Sequence, residues 1–370
     1  MQNDLKIAGK IEKVDCLCVG TSILMSLEAI YQARLGKKVL MVDRGQTFGG
    51  AWKTIEICGI KDVENAIHYF LPDERGINFL RDELNWPIEV SKGKYRYFNL
   101  FNTYYVKFSF SSLIGRFIYK FFYLERPPGL INSLKHFLLS LKTVLQGIGE
   151  RSYYVSKGAT FMLESLSAQL NKHKIEMRFN SDITSIFFDI ENANVQCRVG
   201  NKRIVAKSLI LGHGARLPNL RSTNGTFKLK EKFHYRPAFH LVVEDNKKDN
   251  AKEIILTNDP VIKYVHDVSR FSSICENGFD KRKVFVFALQ SGVSDDANLS
   301  NVLLRKLQDI QIIGSNAQII ASLYSDIILP TLYDEDLYLL KESFGDLVNI
   351  LRTENFSAGV GYYAERWKSK

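Results

Sequence analysis

The 370-residue chain has little proline and little cysteine. Its 8 prolines and 24 glycines exclude a collagen-like or low-complexity protein. The five cysteines are odd in number and show no zinc-ligand spacing, so we expect no metal site, no disulfide framework and a reducing, cytoplasmic location. The amino-terminal segment lacks the apolar core of a signal peptide. No stretch of about 18 uncharged apolar residues predicts a membrane-spanning helix.

Acidic residues are outnumbered by basic ones, 40 to 50, which gives a net charge of +10. Such an excess is typical of proteins that bind nucleic acid, membrane surfaces or phosphorylated small molecules. A compositional bias that leaves solvated lysines on the surface is the alternative. Since no compact segment interleaves basic and aromatic residues, we expect no nucleic-acid partner.

The first fifty residues contain a strand–helix–strand pattern. An apolar run at 14–20 predicts a buried parallel strand, and apolar residues at helical spacing over 22–35 predict a helix that ends at Gly36. Residues 37–42 predict a second buried strand. The unit has the length of a βαβ dinucleotide-binding half, which indicates an α/β fold with a Rossmann-like domain.

The turn after the first strand matches the dinucleotide-binding fingerprint only in part. The fingerprint has three glycines, of which Gly20 is retained, while Ser22 and Met25 occupy the other two positions. Asp43 lies about where an acidic residue binds the ribose hydroxyls of a dinucleotide. Two interpretations stay open: a dinucleotide site, or a Rossmann-like unit that holds no cofactor.

A Gly-Gly loop follows Asp43 closely. The order Asp43-Arg44 and then Gly49-Gly50 resembles the two-dinucleotide-binding-domain flavoproteins. That superfamily includes the amine oxidases, phytoene desaturases, protoporphyrinogen oxidase and UDP-galactopyranose mutase. The resemblance implies FAD as the cofactor. The residues that it places in the FAD site here are Gly20, Ser22, Asp43, Arg44, Gly49, Gly50, Ala51 and Trp52.

The stretch 36–50 also resembles Rab GDP-dissociation inhibitor. That protein shares the fold, binds prenylated partners and has no flavin. This second resemblance implies an alternative: a non-catalytic binding protein that has lost its flavin.

Two internal segments resemble further parts of the superfamily. Residues 65–68, Asn-Ala-Ile-His, are similar to a motif near the isoalloxazine ring, which implies that His68 shapes the active site. A histidine packed among aromatic residues is the alternative. Residues 155–215 show the family's order of a glycine-led helix, a strand, a hairpin and a returning strand, which implies that Ile183 and Gly212 contact FAD.

The carboxyl-terminal segment resembles the point where these flavoproteins return to the cofactor. A strand at 347–353 would lead into a loop, and Gly359 would open the last helix towards the diphosphate. The usual glycine signatures of this region are absent. The resemblance nevertheless places four residues here in the FAD site: Thr353, Glu354, Gly359 and Val360.

The remaining segments suggest a second domain. Residues 111–147 carry two helical patterns, suited to cover the substrate, to hold a lipid-like molecule or to touch a membrane surface. Packing on their own domain is the alternative. An aromatic stretch at 94–110 predicts a hairpin, and four extended segments between 233 and 290 predict an antiparallel sheet. Residues 298–326 have helical spacing.

The chain is thus expected to form two interleaved domains. The FAD-binding domain comprises 10–90, 151–222 and 340–370, and the α+β substrate domain comprises 91–150 and 223–339. The resemblance implies an FAD-dependent oxidoreductase of the amine oxidase or desaturase type, acting on a small, lipid-like or nucleotide-linked substrate. A UDP-sugar pyranose/furanose mutase is the alternative flavoenzyme, although the segment where the mutase has a substrate-contacting arginine holds none here.

Overall fold

The computed structural model describes the greater part of the chain. The described residues are 11–65, 74–91, 94–100, 103–106, 152–212, 214–215, 217, 220–223, 225–247, 253–257, 259–273, 281–351 and 356–368. Four predicted features lie outside these residues: His68, Thr353, Glu354 and the helical patterns of 111–147.

Strands dominate the described residues. The strands are β1 Ile11–Val19, β2 Val39–Val42, β3 Thr54–Ile57, β4 Ile60–Glu64, β5 Ile88–Ser91, β6 Lys94–Leu100, β7 Thr103–Val106, β8 Ser152–Val155, β9 Glu176–Arg178, β10 Ile183–Asp189, β11 Asn194–Val199, β12 Lys202–Gly212, β13 Leu220–Ser222, β14 Gly225–Phe227, β15 Glu231–Glu244, β16 Glu253–Thr257, β17 Ile262–Asp267, β18 Arg282–Leu289, β19 Gln318–Leu332 and β20 Val348–Leu351. The α-helices are α1 Ile23–Arg34, α2 Glu74–Asp82, α3 Gly158–Lys172, α4 Leu299–Asp309, α5 Asp334–Phe344 and α6 Phe356–Lys368. The predicted βαβ unit is confirmed as β1, α1 and β2.

Nine of the described strands form one mixed sheet around a parallel core. The core has the order β20-β12-β1-β2-β9, and every neighbouring pair in it is parallel. The strands β10 and β11 extend the sheet as an antiparallel meander from the amino-terminal half of β12. The short strands β13 and β14 continue it beyond β10. This arrangement confirms the predicted Rossmann-like domain.

Hydrophobic layers cover both faces of this sheet, which explains the continuous apolar runs in β2 and in the carboxyl halves of β1 and β12. On one face, Cys18, Met41 and Ile210 pack with α1, α2, α3 and α6. On the other face, Leu17 and Leu211 pack with the β10–β11 hairpin and with α5. The helices α1 and α6 follow β1 and β20, the two strands that flank β12. Their amino ends therefore lie at the same carboxyl edge of the sheet.

A second sheet has the order β19-β15-β18-β17-β16-β6-β7. Its neighbouring strands are antiparallel except for the parallel pair β16 and β6. The predicted antiparallel sheet and the predicted β6–β7 hairpin are both confirmed. The helix α4 packs on the apolar face of this sheet through Leu303 and Leu307.

The helix predicted over 298–326 is wrong in its second half. Helix α4 ends at Asp309, and the residues from Gln318 onwards form β19. This strand pairs along its whole length with the 14-residue strand β15. The tertiary pairing outweighs a local helical spacing of apolar residues, because strand formation depends on the neighbouring strand more than on intrinsic propensity.

Candidate functional site

The carboxyl edge of the parallel core brings the amino-terminal motif residues together. Val19 and Val42, the last residues of β1 and β2, are register partners. Gly20 and Asp43 therefore leave the sheet side by side. Gly212 ends β12, the strand that flanks β1 on its other side. Ligands of open α/β sheets bind at this edge, so the structure assembles these predicted residues where a dinucleotide would lie.

The turn from β1 into α1 exposes the amino end of a helix. Gly20 has a φ of +96°, which glycine adopts without strain, and its amide donates to Val42 O over 2.8 Å. Ser22 is the N-cap residue, and its hydroxyl accepts from the Met25 amide over 3.3 Å. The first amides of α1 have no intrahelical acceptor and carry the positive end of the helix dipole. This end of α1 is suited to bind an anion.

Met25, which replaces the third fingerprint glycine, points into the protein core. Its side chain is 1% exposed and packs among the residues between α1 and the sheet. Its Cε lies 3.8 Å from the position that a Cβ would take on Gly212. A Cβ at Gly212 would thus stand in ordinary van der Waals contact with Met25. The replacement fills the core and does not occupy the anion-binding face of the turn.

Thr21, which no sequence motif singles out, links the β1–α1 turn to Asp43 and to the Gly-Gly loop. Its buried hydroxyl donates to Asp43 Oδ2 over 2.6 Å and accepts from the Gly49 amide over 3.3 Å. The other oxygen of Asp43, Oδ1, accepts from the Gly45 amide over 2.7 Å. Each carboxylate oxygen can accept two hydrogen bonds. Asp43 is therefore held in place and keeps acceptor capacity for hydroxyl groups.

The Gly-Gly loop needs its glycines for different reasons. Gly49 has a φ of +105°, and a Cβ there would come within 2.6 Å of the Leu163 side chain on α3. Gly50 has a φ of +59°, is exposed, and would meet no protein atom within 4 Å of a Cβ. A short 3₁₀ turn, Gly50–Trp52, continues the loop. Protein packing thus requires glycine at 49, whereas position 50 is open towards solvent.

The remaining residues predicted for the site take different positions. Arg44 and Ala51 are exposed, and Trp52 packs against the core around α1. Ile183 is partly buried at the start of β10. The backbone just before it is joined to the site, because the Ser181 amide donates to Asp43 O over 2.9 Å.

The last helix begins earlier than predicted. Helix α6 starts at Phe356, so Gly359 lies within its first turn and does not open it. Val360 is fully buried in the core that α6 shares with α1. The sequence prediction was misled because glycine is typical of helix ends, whereas here Gly359 is itself buried inside the helix.

A buried polar cluster precedes the segment that contains His68. Glu64 ends β4 and is 3% exposed, and its Oε1 accepts from the Ala159 amide at the start of α3 over 2.9 Å. The carbonyl oxygen of Glu64 lies 3.3 Å from His240 Nε2, on the second sheet. Burial lowers the pKa of His240, which keeps its imidazole neutral. Glu64, which precedes the predicted active-site segment in the sequence, thus connects α3 to strand β15 of the second sheet, a role that no sequence motif indicated.

The described part of the chain contains neither a candidate metal site nor a candidate membrane-spanning helix. No group of three or more His, Cys, Asp or Glu side chains there is placed to hold a metal ion. None of the helices described is both long and apolar enough to cross a membrane.

No protein-family model and no curated protein matches the chain. Solved structures, in contrast, match nearly all of it. A protein provisionally named protoporphyrinogen oxidase, from Exiguobacterium sp. 255-15, has a TM-score of 0.65 at 10% identity, over 97% of this chain and 98% of its own. Putrescine oxidase bound to putrescine has 0.65 at 12% identity, over 97% and 99%. Reduced UDP-galactopyranose mutase has 0.64 at 10% identity, over 95% and 91%. The chain thus has the fold of these solved structures, and two of them, the protoporphyrinogen oxidase and the UDP-galactopyranose mutase, carry names of proteins that its motifs resemble.

Proposed function

We propose that the chain binds FAD at the carboxyl edge of its parallel core and acts as an oxidoreductase of the amine oxidase type. The observation that carries this proposal is the Thr21 bridge, which orients Asp43 beside the amino end of α1 and ties both to the Gly-Gly loop. A carboxylate for ribose hydroxyls and a helix terminus for a diphosphate are the two recognition elements that a dinucleotide needs.

The residues present fit the cofactor in spite of the two lost glycines. The Met25 side chain lies in the core, and the exposed Ser22 at the turn offers a hydroxyl to a phosphate oxygen. The open position at Gly50 lets a ligand come close to the backbone. Ile183, Gly212, Thr353, Glu354, Gly359 and Val360 are proposed to complete the site.

The bound flavin would supply hydride and electron transfer, and the protein would position it. Asp43 would hold the ribose hydroxyls, and the amino ends of α1 and α6 would bind the diphosphate. His68 is proposed to face the ring. The substrate is proposed to be a small, lipid-like or nucleotide-linked molecule, held between the cofactor domain of 10–90, 151–222 and 340–370 and the substrate domain of 91–150 and 223–339. Segment 111–147 would cover it or touch a membrane surface.

Absorbance spectroscopy of the purified protein tests the proposal. We expect flavin bands in the protein as isolated or after incubation with FAD. The test variant is Gly50→Phe, and its matched control is Gly59→Phe, since Gly59 also has a positive φ, is exposed and would place a Cβ in open space. The first variant should lose flavin and the second should keep it, at similar melting temperatures. A protein that stays colourless with added FAD contradicts the proposal and favours the GDP-dissociation-inhibitor-like alternative.

The mutase alternative is supported by the fold shared with UDP-galactopyranose mutase over 95% of the chain. It predicts a different reactivity. A mutase works with reduced flavin and without net oxidation, so steady consumption of oxygen or of a nicotinamide during turnover would exclude it.

A further inference from the structure

The helices α1 and α6 are held together by one buried carboxylate. Glu28, in the middle of α1, is 3% exposed. Its Oε2 accepts from the Tyr363 hydroxyl over 2.9 Å and from Arg366 Nη1 over 2.8 Å, both on α6. Its Oε1 accepts from Gln32 Nε2. Both carboxylate oxygens are therefore hydrogen-bonded, as a buried charge requires.

Tyr363 and Arg366, the two α6 residues of this network, are both held in place beside Glu28. Burial and the Glu28 carboxylate raise the pKa of Tyr363 well above its usual value, so its hydroxyl keeps the proton that it donates. Arg366 lies over the Tyr31 ring, 3.8 Å from its centroid, so the guanidinium is stacked as well as paired. The contact thus fixes both the distance and the rotation of α6 against α1.

The network also sets the heights of the two helices. At 1.5 Å per residue, Glu28 lies about 8 Å from the start of α1 and Tyr363 about 10 Å from the start of α6. Both helices begin at the same edge of the sheet. A contact at these similar distances from their first residues therefore holds the two amino ends at about the same height above that edge. Two level helix ends point their dipoles at one place, which is what a single diphosphate needs.

We propose that Glu28, Tyr363 and Arg366 are positioning residues for the cofactor: they clamp α6 against α1 and thereby set the affinity of the dinucleotide site, without touching the ligand. This inference rests on the proposed function, because it assigns the clamp to the same FAD site. It assigns a binding role to residues of the helix interior, more than one helical turn from the turn that meets the ligand.

The test variant is Glu28→Gln, which keeps the shape of the side chain and removes its charge. Asp259→Asn is the matched control, because Asp259 is also buried and paired with a cation, Lys306 at 2.6 Å, but lies in the second sheet region. Two readouts are needed. One is hydrogen exchange of the α6 amides, with the α4 amides as the internal reference, and the other is the dissociation constant of FAD, measured well below the melting temperature.

In Glu28→Gln we expect the α6 amides to exchange at least 10-fold faster and FAD to bind at least 10-fold more weakly. In Asp259→Asn we expect a lower melting temperature with unchanged α6 exchange and FAD affinity. If Glu28→Gln does not fold, Tyr363→Phe, which removes one hydroxyl, serves as the test variant with smaller effects of the same direction.

The outcomes separate the inference from the proposed function. Unchanged α6 exchange in Glu28→Gln overturns the clamp. Faster exchange with unchanged FAD affinity shows a purely structural clamp and overturns the positioning role. A wild-type protein that takes up no FAD overturns the proposed function and the positioning role together, while the exchange data still decide whether Glu28 holds α6.

Discussion

The hydroxyl of Thr21 donates a hydrogen bond to Asp43 Oδ2 over 2.6 Å, across the gap between the first turn and the end of the second strand. The Thr21 hydroxyl oxygen also accepts a hydrogen bond from the Gly49 amide. The Thr21 side chain therefore joins the three parts of the candidate cofactor site: the turn between β1 and α1, Asp43 at the end of β2, and the Gly-Gly loop. A site that has lost two fingerprint glycines keeps its geometry through a residue that the fingerprint does not specify.

Replacing Thr21 with valine should weaken this geometry. The variant Thr21→Val keeps the shape of the side chain but removes the hydroxyl, so it leaves the buried Gly49 amide unpaired and removes one of the two hydrogen bonds that hold the Asp43 carboxylate. Leaving a buried polar group unpaired costs about 1–3 kcal/mol of stability. We expect a loss of that size in denaturant unfolding and weaker FAD binding. Thr21→Ser, which retains the hydroxyl, is the control and should bind FAD like the wild type.

Restoring the third fingerprint glycine should harm the protein. Met25 is buried, and shortening a buried methionine to alanine typically costs about 2–5 kcal/mol. We expect Met25→Gly to lose at least as much stability in denaturant unfolding, without a gain in FAD affinity. Met25→Leu is the control, because a swap that conserves apolar volume usually costs less than about 1.5 kcal/mol. A Met25→Gly variant that is stable and binds FAD more tightly contradicts the placement of Met25 in the core.

The stability of the fold should decrease below neutral pH because of His240. Burial lowers the pKa of His240 in the folded state, so the unfolded chain takes up a proton first as the pH falls. The stabilisation is fully present above the unfolded pKa of about 6.5 and is lost as the pH falls below it, by at most about 1.4 kcal/mol per pH unit for one proton. Urea unfolding between pH 7.5 and 5.5 measures the free energy of unfolding, which should fall less steeply with decreasing pH in His240→Gln than in the wild type. If the free energy of unfolding falls equally with pH in both proteins, groups other than His240 cause the loss of stability.

Cysteine labelling should distinguish buried from exposed thiols. Burial raises the pKa of Cys197 to about 12 and raises that of Cys16 and Cys18. Cys58, in contrast, is exposed. Since the thiolate is the reactive form, iodoacetamide at pH 8 should label Cys58 and leave these three unlabelled until the protein is unfolded. Peptide mass spectrometry before and after denaturation measures this, and native labelling of Cys197 would contradict the packing of β11.

Sequence patterns predicted the elements whose identity depends on local chemistry. The apolar runs on either side of Gly36 specified β1, α1 and β2, because buried parallel strands and a glycine helix end have local signatures. The helical spacing of apolar residues gave a wrong prediction for β19, because this strand forms by pairing with β15, which is distant in the sequence. Sequence patterns also missed Thr21 and Glu28, since a buried hydrogen-bond partner becomes visible only when remote segments are brought together.

The pairing of β12 with both β1 and β20 has a consequence for folding. The chain leaves the first sheet after β14 and supplies the last strand of that sheet, β20, only from Val348 onwards, after the strands of the second sheet in the sequence. Contacts between such distant segments close slowly, because a long loop must be ordered first. Until β20 pairs with it, the carboxyl half of β12 has an unpaired edge. During the same period, Tyr363 and Arg366 of α6 are not yet bonded to Glu28 of α1. Docking of β20 and α6 would therefore also complete the proposed FAD site, and bound FAD would stabilise the completed fold by mass action.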